Sequence, residues 1–255
     1  MERQVVDSIH EVLEKFHISY DEYERYMDSQ YAFNLKEKDL FVDVFLEMPD
    51  KISASNHEKK LMTGSFYTPP DVASLIVEKA LKYFDRDRRK AQILDLSVGT
   101  GNLMMAYLGS LELGDDQSKR QAVERLYAYD IQWEPLIVYV NRLLMLFDDF
   151  PSDLSINVFH EDSLQIDLNQ KFDIILGNPP YIGEKGNKEL FRSLKLTPFG
   201  RKYYESKMDY HYYFLYKGFE MLKTDGVMGT ITTNYHFTAD GAVKLREYIK
   251  KFISY

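Results

Sequence analysis

The sequence has no cysteine, a single tryptophan and no apolar run long enough to cross a bilayer. Without cysteine there are no disulfides, thiolate metal sites or cysteine nucleophiles, and the chain fits a reducing cytoplasm. The six histidines are scattered without the spacing of metal ligands. The charged N-terminus does not resemble a signal peptide. We therefore predict a cytoplasmic chain with no membrane contact and no metal.

Length and charge limit the remaining possibilities. A chain of 255 residues that is 45% hydrophobic can build one substantial α/β domain with an appendage. The net charge of −8 argues against a broad surface for the phosphate backbone of nucleic acid. Segment 181–207 departs from this balance, with seven basic and three acidic residues. It is predicted either to line a nucleic-acid channel or to be a solvated loop; its aromatic residues are Phe191, Phe199, Tyr203 and Tyr204.

The chain divides near residue 60. Residues 1–60 are acidic, rich in aromatics and helical in spacing, and we interpret them as a helical N-terminal appendage. From residue 61 onward predicted strands and helices alternate, which indicates an α/β fold with a doubly wound, mainly parallel sheet. The strands are predicted over 93–96, 126–131, 156–159, 172–176 and 227–232, and the helices over 70–84, 102–113, 118–125, 133–147, 208–222 and 242–252.

The fourth predicted strand ends in Asn178-Pro179-Pro180-Tyr181. The prolines fix φ and lack an N–H, so they stop the strand and hold a rigid turn at the sheet edge where α/β folds bind ligands. Asn178 and the Pro179 carbonyl can accept hydrogen bonds from an exocyclic amine, while Tyr181 stacks on a planar ring. Taken alone, the two prolines would equally fit an ordinary turn.

A glycine turn follows the first strand, in the segment from Asp95 through Gly99 to Gly101. It matches neither the dinucleotide pattern nor a P-loop, so a pyrophosphate ligand is disfavoured. A zwitterionic amino-acid group suits it better, because Asp95 could bind an ammonium while loop amides bind a carboxylate. A purely structural turn is the alternative.

Acidic residues recur at the ends of the next two strands. Asp130 can accept both hydroxyls of a ribose, and Asp162 can accept an adenine amine. Leu164 or Ile131 could cover the adenine ring. Each acid alone would usually be a surface residue, but the recurrence at one sheet edge favours a site built from Asp95, Asp130, Asp162 and Asn178.

Together these motifs resemble the class I S-adenosylmethionine-dependent methyltransferases, and more narrowly the adenine-N6 DNA methyltransferases of the gamma arrangement found in restriction-modification systems. In that family a Phe-Tyr-Thr-Pro motif precedes the glycine motif, as Phe66-Tyr67-Thr68-Pro69 does here. The resemblance implies a Rossmann-like methyltransferase domain over 61–255. It also implies S-adenosylmethionine as cofactor and a target adenine held by residues 178–181. The cofactor-binding residues it implies, with their strand-end neighbours, are Phe66, Tyr67, Thr68, Asp95, Gly99, Gly101, Asp130, Ile131, Asp162, Ser163 and Leu164.

The sequence departs from the family at two places. Ser97-Val98 replaces the usual Pro-Ser or Pro-Ala and small residue, which we expect to alter loop packing more than cofactor identity. The family's last two strands and its target-recognition domain are missing, so the strand at 227–232 is expected to be an exposed edge. The expectation is a fragment of a larger enzyme, or an edge covered by a specificity subunit or another partner.

Two other functions remain open. A methyltransferase acting on glutamine N5 of a protein or on ribosomal RNA would face the same chemical problem, and such enzymes also carry Asn-Pro-Pro-Tyr. A degenerate module that only binds cofactor or assembles with a specificity subunit is the non-enzymatic alternative. C5 methylation of cytosine is excluded, because it needs a cysteine nucleophile.

Overall fold

The computed structural model describes residues 1–30, 68–166 and 169–252, with a five-stranded sheet at its centre. The strands are β1 (Ile93–Asp95), β2 (Leu126–Asp130), β3 (Asn157–His160), β4 (Phe172–Gly177) and β5 (Leu222–Thr230). Their order is β3-β2-β1-β4-β5, and all neighbours are parallel. The predicted α/β class is confirmed, and the carboxyl ends of all five strands meet at one edge.

Helices cover both faces of the sheet. They are α1 (Glu2–Phe16), α2 (Tyr20–Ser29), α3 (Pro70–Lys82), α4 (Asn102–Gly109), α5 (Asp116–Val123), α6 (Trp133–Leu144), α7 (Lys188–Leu196), α8 (Pro198–Tyr203), α9 (His211–Met221), α10 (Tyr235–Thr238) and α11 (Val243–Ile249). Short 3₁₀ turns occupy Arg88–Lys90 and Asp240–Ala242. None of these helices has the length and apolar character needed to cross a membrane.

Strand pleating separates two hydrophobic cores. Ile93 packs into the core formed with α1 to α6, whereas the next residue, Leu94, packs into the core formed with α7 to α9 and α11. Every residue of β4 is buried, as expected for a central parallel strand covered on both sides. The residues of β1, which precedes the other central turn, are likewise all buried.

Residues 1–30 form α1 and α2, which pack against α6 in the first of the two hydrophobic cores. A buried hydrogen-bonded chain joins them to α6, in which Tyr23 donates to Asn141 and Asn141 donates to Ser8, over 2.8 Å and 2.9 Å. The helical spacing predicted for this stretch is thus observed. The rest of the predicted appendage, residues 31–60, lies outside the described residues.

Several elements differ from the sequence predictions; α4, α6 and α11, for example, end three or four residues before their predicted ends. Segment 181–207, predicted as a channel or loop, forms α7 and α8. Helix α9 starts three residues later than predicted, because residues 208–210 bind the loop after β4 through a bridge between Gly183 and Asp209. Strand β5 starts earlier, at Leu222, with a register irregularity opposite Asp173, whose carboxylate binds Lys223. Within the described residues β5 pairs with β4 alone, so it forms a sheet edge as predicted.

Candidate active site

The turn after β1 is shaped by two glycines. Gly99 and Gly101 have φ of +56° and +81°, a left-handed conformation that side chains oppose. A Cβ at Gly101 would lie 2.0 Å from Cδ2 of Tyr139, whose ring fills that space. The Gly99 N–H donates to Oδ2 of Asp130 over 2.8 Å. The carboxylate at the end of β2 therefore holds the glycine turn in place.

Two carboxyl groups, at the ends of β1 and β2, make the region around the glycine turn acidic. Asp95 is 1% exposed, and its Oδ1 accepts the Ser97 N–H over 2.9 Å. Burial raises the pKa of Asp95 to about 7, against the lowering effect of the Ser97 amide, and the charge of Asp130 raises it further. Burial also raises the pKa of Asp130, opposed by the amides of Gln132 and Gly99. A nearby cation would favour ionisation of both, so the pair suits a positively charged group.

The turn after β3 directs its side chains both to the site and to the core. Asp162 accepts the Leu164 N–H on Oδ1 over 3.0 Å and the Gln165 amide on Oδ2 over 2.6 Å. The Ser163 hydroxyl donates to the Leu96 carbonyl over 2.7 Å and is buried. Leu164 is 1% exposed and belongs to the second core. Asp162 and Ser163 both line the cavity at this edge, and the Asp162 carboxylate keeps lone pairs beyond these two bonds.

The turn after β4 is neutral and tightly braced. The Asn178 amide donates from Nδ2 to the Thr68 hydroxyl over 3.1 Å. The Tyr181 hydroxyl lies 2.7 Å from Oδ1 of Asn178 and 2.9 Å from the Ile231 carbonyl. Burial, with a contribution from the charge of Asp209, raises the pKa of Tyr181 to about 12, so its hydroxyl remains a donor at neutral pH.

A chain of hydrogen bonds supports Asn178 from behind. The Arg142 guanidinium donates to the Thr100 carbonyl over 2.7 Å and to Oδ1 of Asn102 over 2.6 Å. Because arginine only donates, Asn102 must present Nδ2 to its other partner, the Thr68 carbonyl, at 2.6 Å. This fixes the backbone of Thr68, whose hydroxyl meets Asn178. Residues on three elements thus set the position of one amide.

Two adjoining cavities lie along this edge. The larger, about 380 Å³, is lined by Leu96, Ser97, Gly99, Asp130, Ile131, Gln132, Pro135, Asp162, Ser163, Asn178, Pro180, Ile182, Asn187, Leu190, Tyr210 and Phe214. The smaller, about 30 Å³, is lined by Thr68, Asp95, Ser97, Val98, Gly99, Thr100, Asn102, Leu103 and Asn178. Asp130 and Asp162 line the larger cavity and Asp95 lines the smaller, so we refer to the two together as the acidic cavity. Asn178 lines both, and its amide therefore lies where the acidic cavity meets the neutral turn after β4.

Residues 106–255 match the family of Eco57I restriction-modification methylases. The chain belongs to this family. It is 26% identical over 196 residues to the type II methyltransferase M.HincII of Haemophilus influenzae, an alignment covering 76% of this chain and 32% of that protein. The chain thus spans about a third of the length of the curated type II methyltransferases that it matches.

Solved structures share the fold. A DrdV–DNA complex superposes with a TM-score of 0.59 at 19% identity, covering 88% of this chain and 26% of that one. A putative class I S-adenosylmethionine-dependent methyltransferase from Listeria monocytogenes superposes with a TM-score of 0.55 at 20% identity, covering 98% and 78%. The family resemblance and the Rossmann-like methyltransferase fold predicted from the sequence are therefore confirmed.

Two of the four aromatic residues of segment 181–207 fit neither predicted alternative, a nucleic-acid channel or a solvated loop. Phe191 is fully buried, Tyr203 is 5% exposed, and both belong to the second core, whereas Phe199 and Tyr204 are half-buried. Several of the basic residues are also engaged. Lys195 lies over the Tyr204 ring, and Arg192, Lys202 and Lys207 pair with Glu189, Glu220 and Asp240. Helical packing explains the burial of Phe191 and Tyr203.

The structure brings most of the predicted site residues of this methylase-family chain to one edge. Ile131 is 62% exposed and lines the larger cavity, whereas the side chain of Leu164 is in the core. Gly101 lines neither cavity and serves the packing of Tyr139. Phe66 and Tyr67 lie outside the described residues. The proposed roles of all these residues in binding stay predictions.

Sequence reasoning missed several side chains at the site. Asn187 and Leu190, from the start of α7, form one wall of the larger cavity. Arg142 and Asn102 brace Thr68 from α6 and α4. Asn102 directly follows the glycine turn and could have been considered on that ground. Arg142 reaches the site across 40 residues of sequence, and no local pattern marks it.

Proposed function

We propose that this chain is the catalytic part of a DNA methyltransferase of a restriction-modification system, which transfers a methyl group from S-adenosylmethionine to N6 of adenine. The observation that carries the proposal is the position of Asn178, which lines both cavities and bonds to Tyr181. A relative that is a type II methyltransferase supports the same reaction. An amine held at Asn178 would be adjacent to a ligand in the acidic cavity.

The residues of the acidic cavity fit S-adenosylmethionine. Asp95 suits the ammonium group, and the buried Ser97 hydroxyl, which has no partner among the described residues, can bond to a polar ligand atom. Asp130 retains lone pairs for ribose hydroxyls after accepting two backbone amides. Asp162, which lines the larger cavity, would accept the adenine amine of the cofactor. When bound, the cofactor would supply an electrophilic methyl group on a sulfonium.

The neutral turn would position the target amine. Asn178 Oδ1 has two lone pairs, so it can accept one amine hydrogen while still bonded to the Tyr181 hydroxyl. The Pro179 carbonyl would accept the other hydrogen. Both bonds draw the hydrogens toward the turn and favour a geometry with a freer nitrogen lone pair, directed at the methyl group. Transfer in this arrangement depends on positioning and electrostatics and needs no covalent enzyme intermediate.

The target base must leave the duplex to reach this turn. Flipping costs about a few kcal/mol, which stacking on Tyr181 would partly offset. The chain's net charge of −8 and the ion pairs of segment 181–207 argue that a target-recognition domain or subunit supplies much of the cationic DNA surface. The lack of cysteine supports action in the cytoplasm.

Cofactor titration is the first test. We expect calorimetry to detect S-adenosylmethionine binding to the 255-residue chain and weaker binding to Asp95→Asn. Asp71→Asn, on the exposed first turn of α3, is the matched control and should bind like wild type. Absence of binding by wild type would overturn every methyltransferase interpretation.

Substrate identity is tested by offering labelled cofactor with DNA, a release factor and ribosomal RNA in parallel. Mass spectrometry of digested DNA should detect N6-methyladenine. Label in the release factor or the RNA alone would replace DNA by one of those substrates. Cofactor binding without transfer to any of the three would favour a cofactor-binding assembly module.

A further inference from the structure

A polar cluster of Asp209, His211 and Thr232 lies next to Tyr181 and is not used by the reaction proposed above. His211 is fully buried, and its Nδ1 lies 2.6 Å from Oδ1 of Asp209. Its Nε2 lies 3.0 Å from the Thr232 hydroxyl. Because an ionised carboxylate only accepts, Nδ1 carries the hydrogen of the first bond. Nε2 is then free to bond with Thr232, so both ring nitrogens are held and the ring has a fixed orientation.

The cluster contacts Tyr181 on more than one side. The His211 ring meets the Tyr181 ring edge to face, with centroids 5.2 Å apart and an interplanar angle of 65°. Oδ1 of Asp209 also accepts the N–H of Ile182, the residue after Tyr181, over 3.2 Å. Ile231, the residue before Thr232, provides the carbonyl that contacts the Tyr181 hydroxyl. The ring, the backbone and the hydroxyl of Tyr181 are thus all tied to the same cluster.

We propose that Asp209, His211 and Thr232 are positioning residues that set the plane of the Tyr181 ring against which the target base stacks. This deepens the proposed function and rests on it for the identity of the base. His211 joins the start of α9 to the exit of β5, and the Tyr181 ring occupies the space between them. A ring held in one plane loses less rotamer freedom when a base stacks on it, so less binding energy is spent on ordering the site.

Thr232 offers the most conservative test. Thr232→Val keeps the shape and removes the hydroxyl, and Thr232→Ser keeps the hydroxyl. Thr230→Val is the matched control, because the Thr230 hydroxyl is buried on the same chain segment and has no partner among the described residues. Tyr181 is replaced by 3-fluorotyrosine in each protein, and its ¹⁹F resonance is recorded without DNA. This measurement requires no methyl transfer.

We expect Thr232→Val to shift or broaden the Tyr181 resonance, and Thr232→Ser and Thr230→Val to leave it at the wild-type position. In unlabelled proteins, Thr232→Val should slow single-turnover methylation of adenine in DNA by roughly 3- to 10-fold, the effect of one hydrogen bond, with S-adenosylmethionine affinity unchanged. Rescue by Thr232→Ser distinguishes the hydroxyl from side-chain bulk.

Two outcomes separate this inference from the proposed function. If the resonance responds as expected but the wild-type chain methylates no DNA, the positioning role stands and the proposed function fails. If Thr232→Val and Thr230→Val give the same resonance as wild type, the positioning role is overturned, whatever the activity.

Discussion

The turns after β1 and β4 lie side by side at the same sheet edge but are built by opposite means. The β1 turn uses glycines in left-handed conformations, backbone N–H groups, and two carboxyl groups with raised pKa values, one from the end of β1 and one from the end of β2. The β4 turn uses two prolines, an amide and a phenol held by side-chain hydrogen bonds. The β1 turn is therefore acidic, and its backbone packs close to the carboxyl groups. The β4 turn is neutral and rigid.

This difference indicates what each turn binds. An acidic pocket with close backbone approach suits a small cationic group, since carboxylates favour a cation. A neutral, rigid platform suits a planar group with hydrogens to donate, for which a nearby charge would add only desolvation cost. The following predictions test whether the β1 turn binds the cofactor and the β4 turn the target base, in order of decreasing expected effect.

Removal of the Asn178 amide should give the largest effect, and it should change methyl transfer without changing cofactor binding. Asn178→Ala deletes the acceptor for the amine and leaves the carboxyl groups of Asp95 and Asp130 in place. We expect the single-turnover rate on DNA to fall by roughly 10³-fold, with S-adenosylmethionine affinity within a few-fold of wild type. Wild-type turnover in this variant would refute the assignment of the β4 turn to the target base.

The buried Asp95 carboxyl should make stability depend on pH. Its pKa is about 7 in the folded protein and near 4 when unfolded, so the folded state holds the extra proton between those values. Stability therefore falls as pH rises from 4 to 7, by on the order of 4 kcal/mol from this group alone. Urea unfolding at pH 4, 5.5 and 7.5 should show that Asp95→Asn lacks this loss.

Asp115 provides the control of opposite sign. Hydrogen bonds from Ser118 lower the pKa of Asp115 at the start of α5. Its contribution is present above the unfolded pKa and lost as pH falls, so Asp115→Asn should reduce the pH dependence on the acidic side only. Parallel pH curves for wild type and Asp95→Asn would contradict a raised pKa at Asp95.

The glycine turn should be intolerant of a single methyl group at Gly101. Gly101→Ala combines a left-handed φ with a contact of 2.0 Å to Tyr139, and we expect a loss of roughly 3 kcal/mol in unfolding free energy. Gly109→Ala, at the other end of α4, adds its methyl to open space and should be neutral or stabilising. Equal effects of the two changes would mean that the Tyr139 contact relaxes freely.

The smallest effect is expected at the Tyr181 hydroxyl. Tyr181→Phe keeps the ring and removes the bonds to Asn178 and Ile231, so methylation should slow about 3- to 10-fold. Tyr181→Ala should be slower still, because it also removes the stacking surface. If the two variants are equally slow in single-turnover assays, the hydroxyl matters more than the ring.

Short apolar runs between turn residues were sufficient to predict the sheet. β1, β2 and β4 lie within one residue of their predicted bounds, because a buried parallel strand needs a continuous apolar segment and its end is marked by Asp95, Asp130 or Asn178. The shared edge follows because strands joined by crossover helices run parallel, so their carboxyl ends lie on one side of the sheet. The polar residues at the strand ends could therefore be grouped from their positions in the sequence alone.

Contacts between distant segments could not be predicted in this way. The helical spacing of Leu190, Phe191 and Leu194, and the Thr197-Pro198 start of α8, were present in the sequence but were obscured by the basic charge of the segment. Bracing by Arg142 depends on how α6 packs against the glycine turn, which no local pattern encodes. Local patterns identified residues that line the two cavities, such as Asp130 and Asn178. They did not identify the residues that brace these, such as Arg142.

Helix α7 has a consequence for attempts to redesign the enzyme. It begins soon after Tyr181, yet Asn187 and Leu190 line the same cavity as Asp130 and Asp162. A graft of this segment from a relative, intended to alter DNA contacts, would replace part of the lining of the larger cavity at the same time. Such chimaeras should keep these two side chains, because the segment is not an independent module.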